Sequence, residues 1–152
     1  MLTSTITILT TLTALAAALP SPNLAARAGG PAIVPIPSTC TVTNPLPTGS
    51  AFLPTDSAKN SLLYNAYYPA FSSNKTEMAE QCLQQCYGYG NHTECKAAFW
   101  AQNVKTPAGY YGTPGGDPMT ACIMFDRAVT PEDFVAAPEG EGTDAYTRNL
   151  AC

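Results

Sequence analysis

Residues 77–101 read EMAEQCLQQCYGYGNHTECKAAFWA, and the change of period inside this stretch decides the fold class. Met78, Ala79, Cys82, Leu83 and Cys86 recur at helical spacing, which gathers them on one apolar face of a helix from Glu77 to about Tyr87. Thr76 stands where an N-cap belongs, and Glu77 and Glu80 fall in the first turn, where the helix dipole favours negative charge. Gly88 and Gly90 end the helix. From Cys95 onward Ala97, Phe99 and Ala101 alternate with Lys96, Ala98 and Trp100, the two-residue period of a strand. Cysteines one helical turn apart hold their Cβ atoms about 6 Å from each other, and a disulfide needs roughly 3.5–4.5 Å. Cys82 and Cys86 therefore reach outward separately, toward a sheet that packs on the helix.

Outward from this stretch the pattern stays mixed. Residues 106–119 hold three prolines and four glycines around Tyr110 and Tyr111, a long exposed hairpin connection. TACIMFDR, residues 120–127, is the next strand, Pro131 to Phe134 make one helical turn, and a last strand runs from about Asp144 to Cys152. Upstream, the β-branched STCTVT around Cys40 reads as a first strand, whereas residues 44–56 read as irregular loop. Residues 20–38 are rich in proline, alanine and glycine and read as a tail, with a short edge strand expected at 32–36. One helix among several antiparallel strands gives an α+β domain. There is no internal repeat.

The first residues bear on the compartment. Leu2 to Leu19 carries no charged side chain, ends in Ala16 and Ala18, and is followed by Pro20, Ser21 and Pro22. That is the profile of a secretory signal peptide cleaved near Ala18. The run also approaches the roughly 20 residues of a membrane anchor, but its threonines and its small-residue exit favour cleavage. Arg27 offers a weak second processing point within a flexible tail. The expected division is thus a signal peptide at 1–18, a tail at 19–38 and one domain at 39–152.

Six cysteines follow the leader, and in an oxidising compartment an even count reads as disulfides. Fifteen pairings are possible. Cys95 follows the helix after a short turn, so Cys86–Cys95 is the local link. Cys82 is then free to reach Cys122 on the later strand, and Cys40 and Cys152 remain to tie the first strand to the last. In the chain-entropy model the last loop, over a hundred residues long, is worth about 4–5 kcal/mol and the short loop roughly 3 or less. The sequons at Asn74 and Asn91 add two acceptor positions for N-linked glycans. Eleven acidic residues against seven basic ones, with no basic cluster, disfavour nucleic acid and anionic membranes as partners.

CLQQC on a helix, then CKAAFW, then ACIMF on a later strand, resembles the core of the PAN/apple superfamily. The likeness is greatest to the apple-like domains of secreted fungal proteins and spans about Cys40 to Cys152. It implies a helix with two cysteines on an antiparallel sheet, and a nested first-to-sixth, second-to-fifth, third-to-fourth pairing that agrees with the one reasoned above. It also implies binding of proteins or carbohydrates without a catalytic residue set. The stretch from Asn44 to Phe71 departs from the family pattern.

Chemistry is sparse. His92, the only histidine, sits inside the second sequon and reads as a solvated loop residue. Asp126, Glu132 and Asp133 can be weighed as a glycosidase acid pair or a calcium site, but a surface carboxylate cluster is the simpler reading. No CxxC pair supports zinc, no cofactor is implied, and no catalytic residue is assigned. A binding reading instead needs rigid aromatic surface. Tyr110 and Tyr111 supply it in the Gly/Pro-rich connection, where core packing does not explain adjacent tyrosines. Trp100 is a further ligand-contact candidate, weighed against a place in the core on the second face of its strand. Tyr64, Tyr67 and Tyr68 read as packing beneath the loop. The expectation is a secreted, non-enzymatic module at the cell exterior or wall that recognises an extracellular protein or glycan. A small secreted hydrolase and a structural or host-directed secreted protein are the alternatives.

Overall fold

The computed structural model describes residues 30–152, and the expected signal peptide and most of the tail lie outside that range. The architecture is α+β. In chain order the elements are β1 (Thr41–Thr43), β2 (Phe52–Pro54), α1 (Asp56–Lys59), β3 (Leu62–Tyr68), α2 (Lys75–Tyr87), β4 (Ala97–Lys105), β5 (Pro118–Phe125), β6 (Phe134–Ala136) and β7 (Thr143–Ala151). Five strands form one antiparallel sheet in the order β1-β7-β4-β5-β3, and β2 pairs with β6 as a separate two-stranded ribbon.

Strand β4 is central, and both of its faces are covered. On one side Met78, Cys82, Leu83 and Cys86 of α2 pack against Ala98, Trp100, Cys122 and Met124. On the other side Phe99, Ala121, Ile123 and Phe125 pack against Phe134 and Ala58, which belong to the β2–β6 ribbon and the short α1. The alternation along β4 therefore separates two apolar interiors rather than a core from solvent. The exposed flank of α2 is fastened to β7 by a Lys75–Asp144 ion pair at 2.8 Å, by the Glu80–Arg148 ion pair and by a Thr76–Tyr146 hydroxyl contact of 3.0 Å.

Three crosslinks join these layers. Cys82–Cys122 fixes the middle of α2 to β5, Cys86–Cys95 ties the last turn of α2 to the approach of β4, and Cys40–Cys152 joins the start of β1 to the end of β7.

Local differences from the sequence reading have identifiable causes. Helix α2 begins at Lys75, and its cap is Asn74, whose Oδ1 accepts the Glu77 N–H at 3.2 Å. Thr76, the expected cap, lies inside the first turn and turns its hydroxyl to Tyr146. Gly88 ends the helix without a left-handed backbone (φ −73°). Its missing side chain serves packing instead, because a Cβ there would stand 2.0 Å from the Ala32 carbonyl oxygen. Residues 32–36 form no strand. They are part of a strap across the end of α2, where the Val34 N–H donates to the Gln84 carbonyl at 3.3 Å and the buried Gln85 side chain donates to the Pro31 carbonyl at 3.2 Å. The Gln84 carbonyl also accepts the Gly88 N–H at 2.9 Å, so the strap donates to its second lone pair. Part of the expected tail thus packs against the end of α2.

Candidate functional site

The β4–β5 connection is a braced structure. Its base is closed by Thr106, whose N–H and hydroxyl both donate to the Asp117 carbonyl, at 2.9 and 3.0 Å, and by the Gly116 N–H donating to the Thr106 carbonyl at 2.8 Å. Its tip is closed by the Gly109 N–H on the Thr113 carbonyl at 2.8 Å and by the Thr113 hydroxyl on the Tyr110 carbonyl at 2.8 Å. Gly115, at φ 77°, is needed in the middle, since a Cβ would lie 2.6 Å from the Ala108 nitrogen. Such a loop holds its side chains in place rather than letting them swing.

The two tyrosines of this loop have opposite fates. Tyr110 turns back onto β3, accepts the Tyr67 backbone N–H on its hydroxyl at 3.1 Å, and meets the Tyr67 ring edge-on with centroids 5.0 Å apart. Burial, with the Tyr110 phenol beside it, pushes the Tyr67 hydroxyl above the ordinary tyrosine range, so it stays neutral. Tyr111 stands out of the surface with 83 % of its area exposed and a left-handed backbone (φ 47°, ψ 35°). A non-glycine residue in that region carries about 1–2 kcal/mol of strain. Its ring rests edge-on against Tyr110 at 4.6 Å.

Beside the pair a groove of about 380 Å³ is lined by Leu62, Leu63, Tyr64, Asn65, Tyr110 and Tyr111. This is the size of a small-ligand cleft, and none of the lining side chains is charged at neutral pH. The groove follows the outer edge of β3, the edge strand opposite β1. The Tyr67 N–H on that edge is already taken by Tyr110, so an incoming strand cannot use it.

Trp100 does not join this site. It is 1 % exposed, its indole N–H donates to the Tyr68 hydroxyl at 3.2 Å, and its ring meets Tyr146 edge-on. Because α2 covers the second face of β4, the indole is core, and its place among the ligand-contact residues is withdrawn. Tyr64, in contrast, enters the groove wall, and Tyr68 is buried.

The other sequence candidates also fall into place. His92 stacks on Tyr87 with ring centroids 4.7 Å apart, and its Nδ1 lies 2.7 Å from the Tyr87 carbonyl. A carbonyl only accepts, so Nδ1 carries the proton. Asp133 is gripped by both Arg127 guanidinium nitrogens at 2.6 and 2.8 Å and accepts the Thr130 N–H at 2.8 Å. The Arg127 contact holds its carboxyl down at about 2, which suits a lock on the chain and not a proton donor at neutral pH. Among the described residues no cluster of His, Cys, Asp or Glu has the geometry to hold a metal ion, and no helix is long and apolar enough to cross a membrane. Asn74 and Asn91 are both exposed, and the Thr93 hydroxyl donates to Asn91 Oδ1 at 3.0 Å.

Comparison of the chain with family models, with curated proteins and with solved structures finds no match.

Proposed function

We propose that the chain is a secreted, non-enzymatic recognition module of the PAN/apple type that binds an extracellular protein or carbohydrate through Tyr111 and the groove along β3. The observation that carries this reading is Tyr111 itself. Stability alone favours glycine or asparagine at a left-handed position and favours no large ring in water. The molecule nevertheless bears the strain of a tyrosine there, holds the loop rigid beneath it, and leaves the ring exposed beside an uncharged cleft. A rigid amphipathic ring loses little entropy on binding, which makes it an efficient contact for a partner surface or a sugar face. With the β3 edge blocked at Tyr67, a ligand of compact shape fits better than an added strand.

The family assignment rests on the helix that carries two cysteines against an antiparallel sheet, and on the nested order of the crosslinks. Export is supported by the same crosslinks, with glycans placed at Asn74 and Asn91, whose side chains face solvent.

The test is a glycan array together with a pull-down from extracellular and cell-wall fractions, using the unaltered protein, Tyr111→Ala and Tyr110→Ala. Tyr111→Ala should weaken binding by about tenfold or more, as for a central aromatic contact, with the fold intact by circular dichroism. Binding that survives both substitutions removes this loop as the site.

A further inference from the structure

We infer that the Cys40–Cys152 disulfide is a site of exchange with low-molecular-weight thiols, and that its opening releases β1 while the rest of the domain stays folded. The three crosslinks differ sharply in access. Cys82, Cys86, Cys95 and Cys122 are at most 3 % exposed, whereas Cys152 lies at the surface and Cys40 is half-buried. Exchange requires a thiolate to approach one sulfur of the bond, and only this pair permits that in the native state.

The chemistry is ordinary thiol–disulfide exchange. A thiolate attacks the Cys152 sulfur and forms a mixed disulfide, the Cys40–Cys152 bond breaks, and Cys40 leaves as a thiolate that takes up a proton. A second thiol attacks the mixed disulfide and frees the Cys152 thiol. Two external thiols are oxidised to their disulfide as one protein disulfide is reduced to two thiols.

Little else holds β1. Thr41, Val42 and Thr43 all expose their side chains, and the strand pairs with β7 over three residues only. Its flanks are anchored independently. Ile36 packs on the helix-side interior and Leu46 on the opposite one, so residues 37–45 cross the sheet edge between two fixed points. Strand β7 keeps its pairing to β4, and the Leu150 N–H still donates to the Lys96 carbonyl at 2.8 Å. Reduction therefore converts a clasped sheet edge into an open one at Asn149–Ala151, with both apolar interiors still crosslinked.

The experiment treats native protein with reduced glutathione in the absence of denaturant, traps thiols with iodoacetamide, and maps the label by mass spectrometry. The expected result is two labels per chain, on Cys40 and Cys152. Unchanged far-ultraviolet dichroism and faster amide exchange confined to residues 37–45 and the end of β7 should accompany them. Label on any of the four buried cysteines under those conditions, or none short of global unfolding, overturns the inference. The double variant Cys40→Ser/Cys152→Ser should fold, take no label and reproduce the local exchange. Failure of that variant to fold would equally overturn it, because the domain would then depend on the clasp.

Discussion

The phenol oxygen of Tyr110 accepts a hydrogen bond from the backbone N–H of Tyr67, 43 residues earlier, and so joins the β4–β5 loop to the far edge of the sheet. Tyr110→Phe keeps the ring and its edge-on contact but leaves the Tyr67 N–H without its partner. An unsatisfied, partly buried donor costs about 1–2 kcal/mol, and thermal unfolding should report a drop of about 3–6 °C. Amide exchange at Tyr67 should accelerate, and ligand binding should weaken less than in Tyr111→Ala, since Tyr111 keeps its place.

Where periodicity was strong, the fold was legible. Helix α2 and strand β4 follow directly from the spacing of their apolar residues, and β5 and β7 lie close to where strands were expected. Strand β3 was hidden because LLYNAYY has no clean two-residue alternation. A bulge between Leu62 and Tyr64 lets both Leu63 and Tyr64 lean on the helix-side interior. Strands β2 and β6 are three residues each, and their identity lies in the partner, not in local composition. Trp100 stood between a ligand-contact and a core reading for a related reason. A strand of alternating residues does not disclose whether one face or both are covered, and that depends on where α2 docks. The adjacent tyrosines were legible as a pair, but only the backbone sign at Tyr111 decides which ring packs and which is displayed.

Gly88→Ala tests the strap across the end of α2. The added methyl would meet the Ala32 carbonyl oxygen at 2.0 Å, so the backbone of residues 31–34 must move. A clash of this kind typically costs about 1–3 kcal/mol, against which the gain in helix propensity is small. Hydrogen exchange should show early loss of protection at Val34, and a chain beginning at residue 39 should lose comparable stability. Equal stability of the shortened and full-length domains would return residues 30–38 to the status of a tail.

Thr147→Val should stabilise the protein. Thr147 is 2 % exposed, and its hydroxyl finds no hydrogen-bond partner among the described residues. Burying an unpaired hydroxyl costs about 1–3 kcal/mol, and valine replaces it with a methyl of similar shape and higher strand preference. The denaturant midpoint should rise by an amount equivalent to about 1 kcal/mol with an unchanged slope. A fall in the midpoint would mean that the hydroxyl does have a partner, for instance an ordered water.

Asp133 sets an acid limit on stability. Arg127 and the Thr130 N–H hold its carboxyl at about 2, below the ordinary aspartate value of about 4. The folded state therefore binds this proton less readily than the unfolded state. The resulting stabilisation is fully present above the unfolded value near 4 and is lost as pH falls from there toward 2. Arg127→Gln removes the main cause of the depression, so its carboxyl should titrate closer to the unfolded value. Its unfolding free energy should be lower at neutral pH by about 1–3 kcal/mol, as for the loss of a charged hydrogen bond to a buried group. Between pH 4 and pH 2 the gap between variant and parent should narrow, because acid removes from the parent what the substitution has already taken. Urea titrations at a series of pH values read both quantities. A gap that stays constant down to pH 2 would show that Arg127 contributes through packing of its side chain rather than through the Asp133 charge.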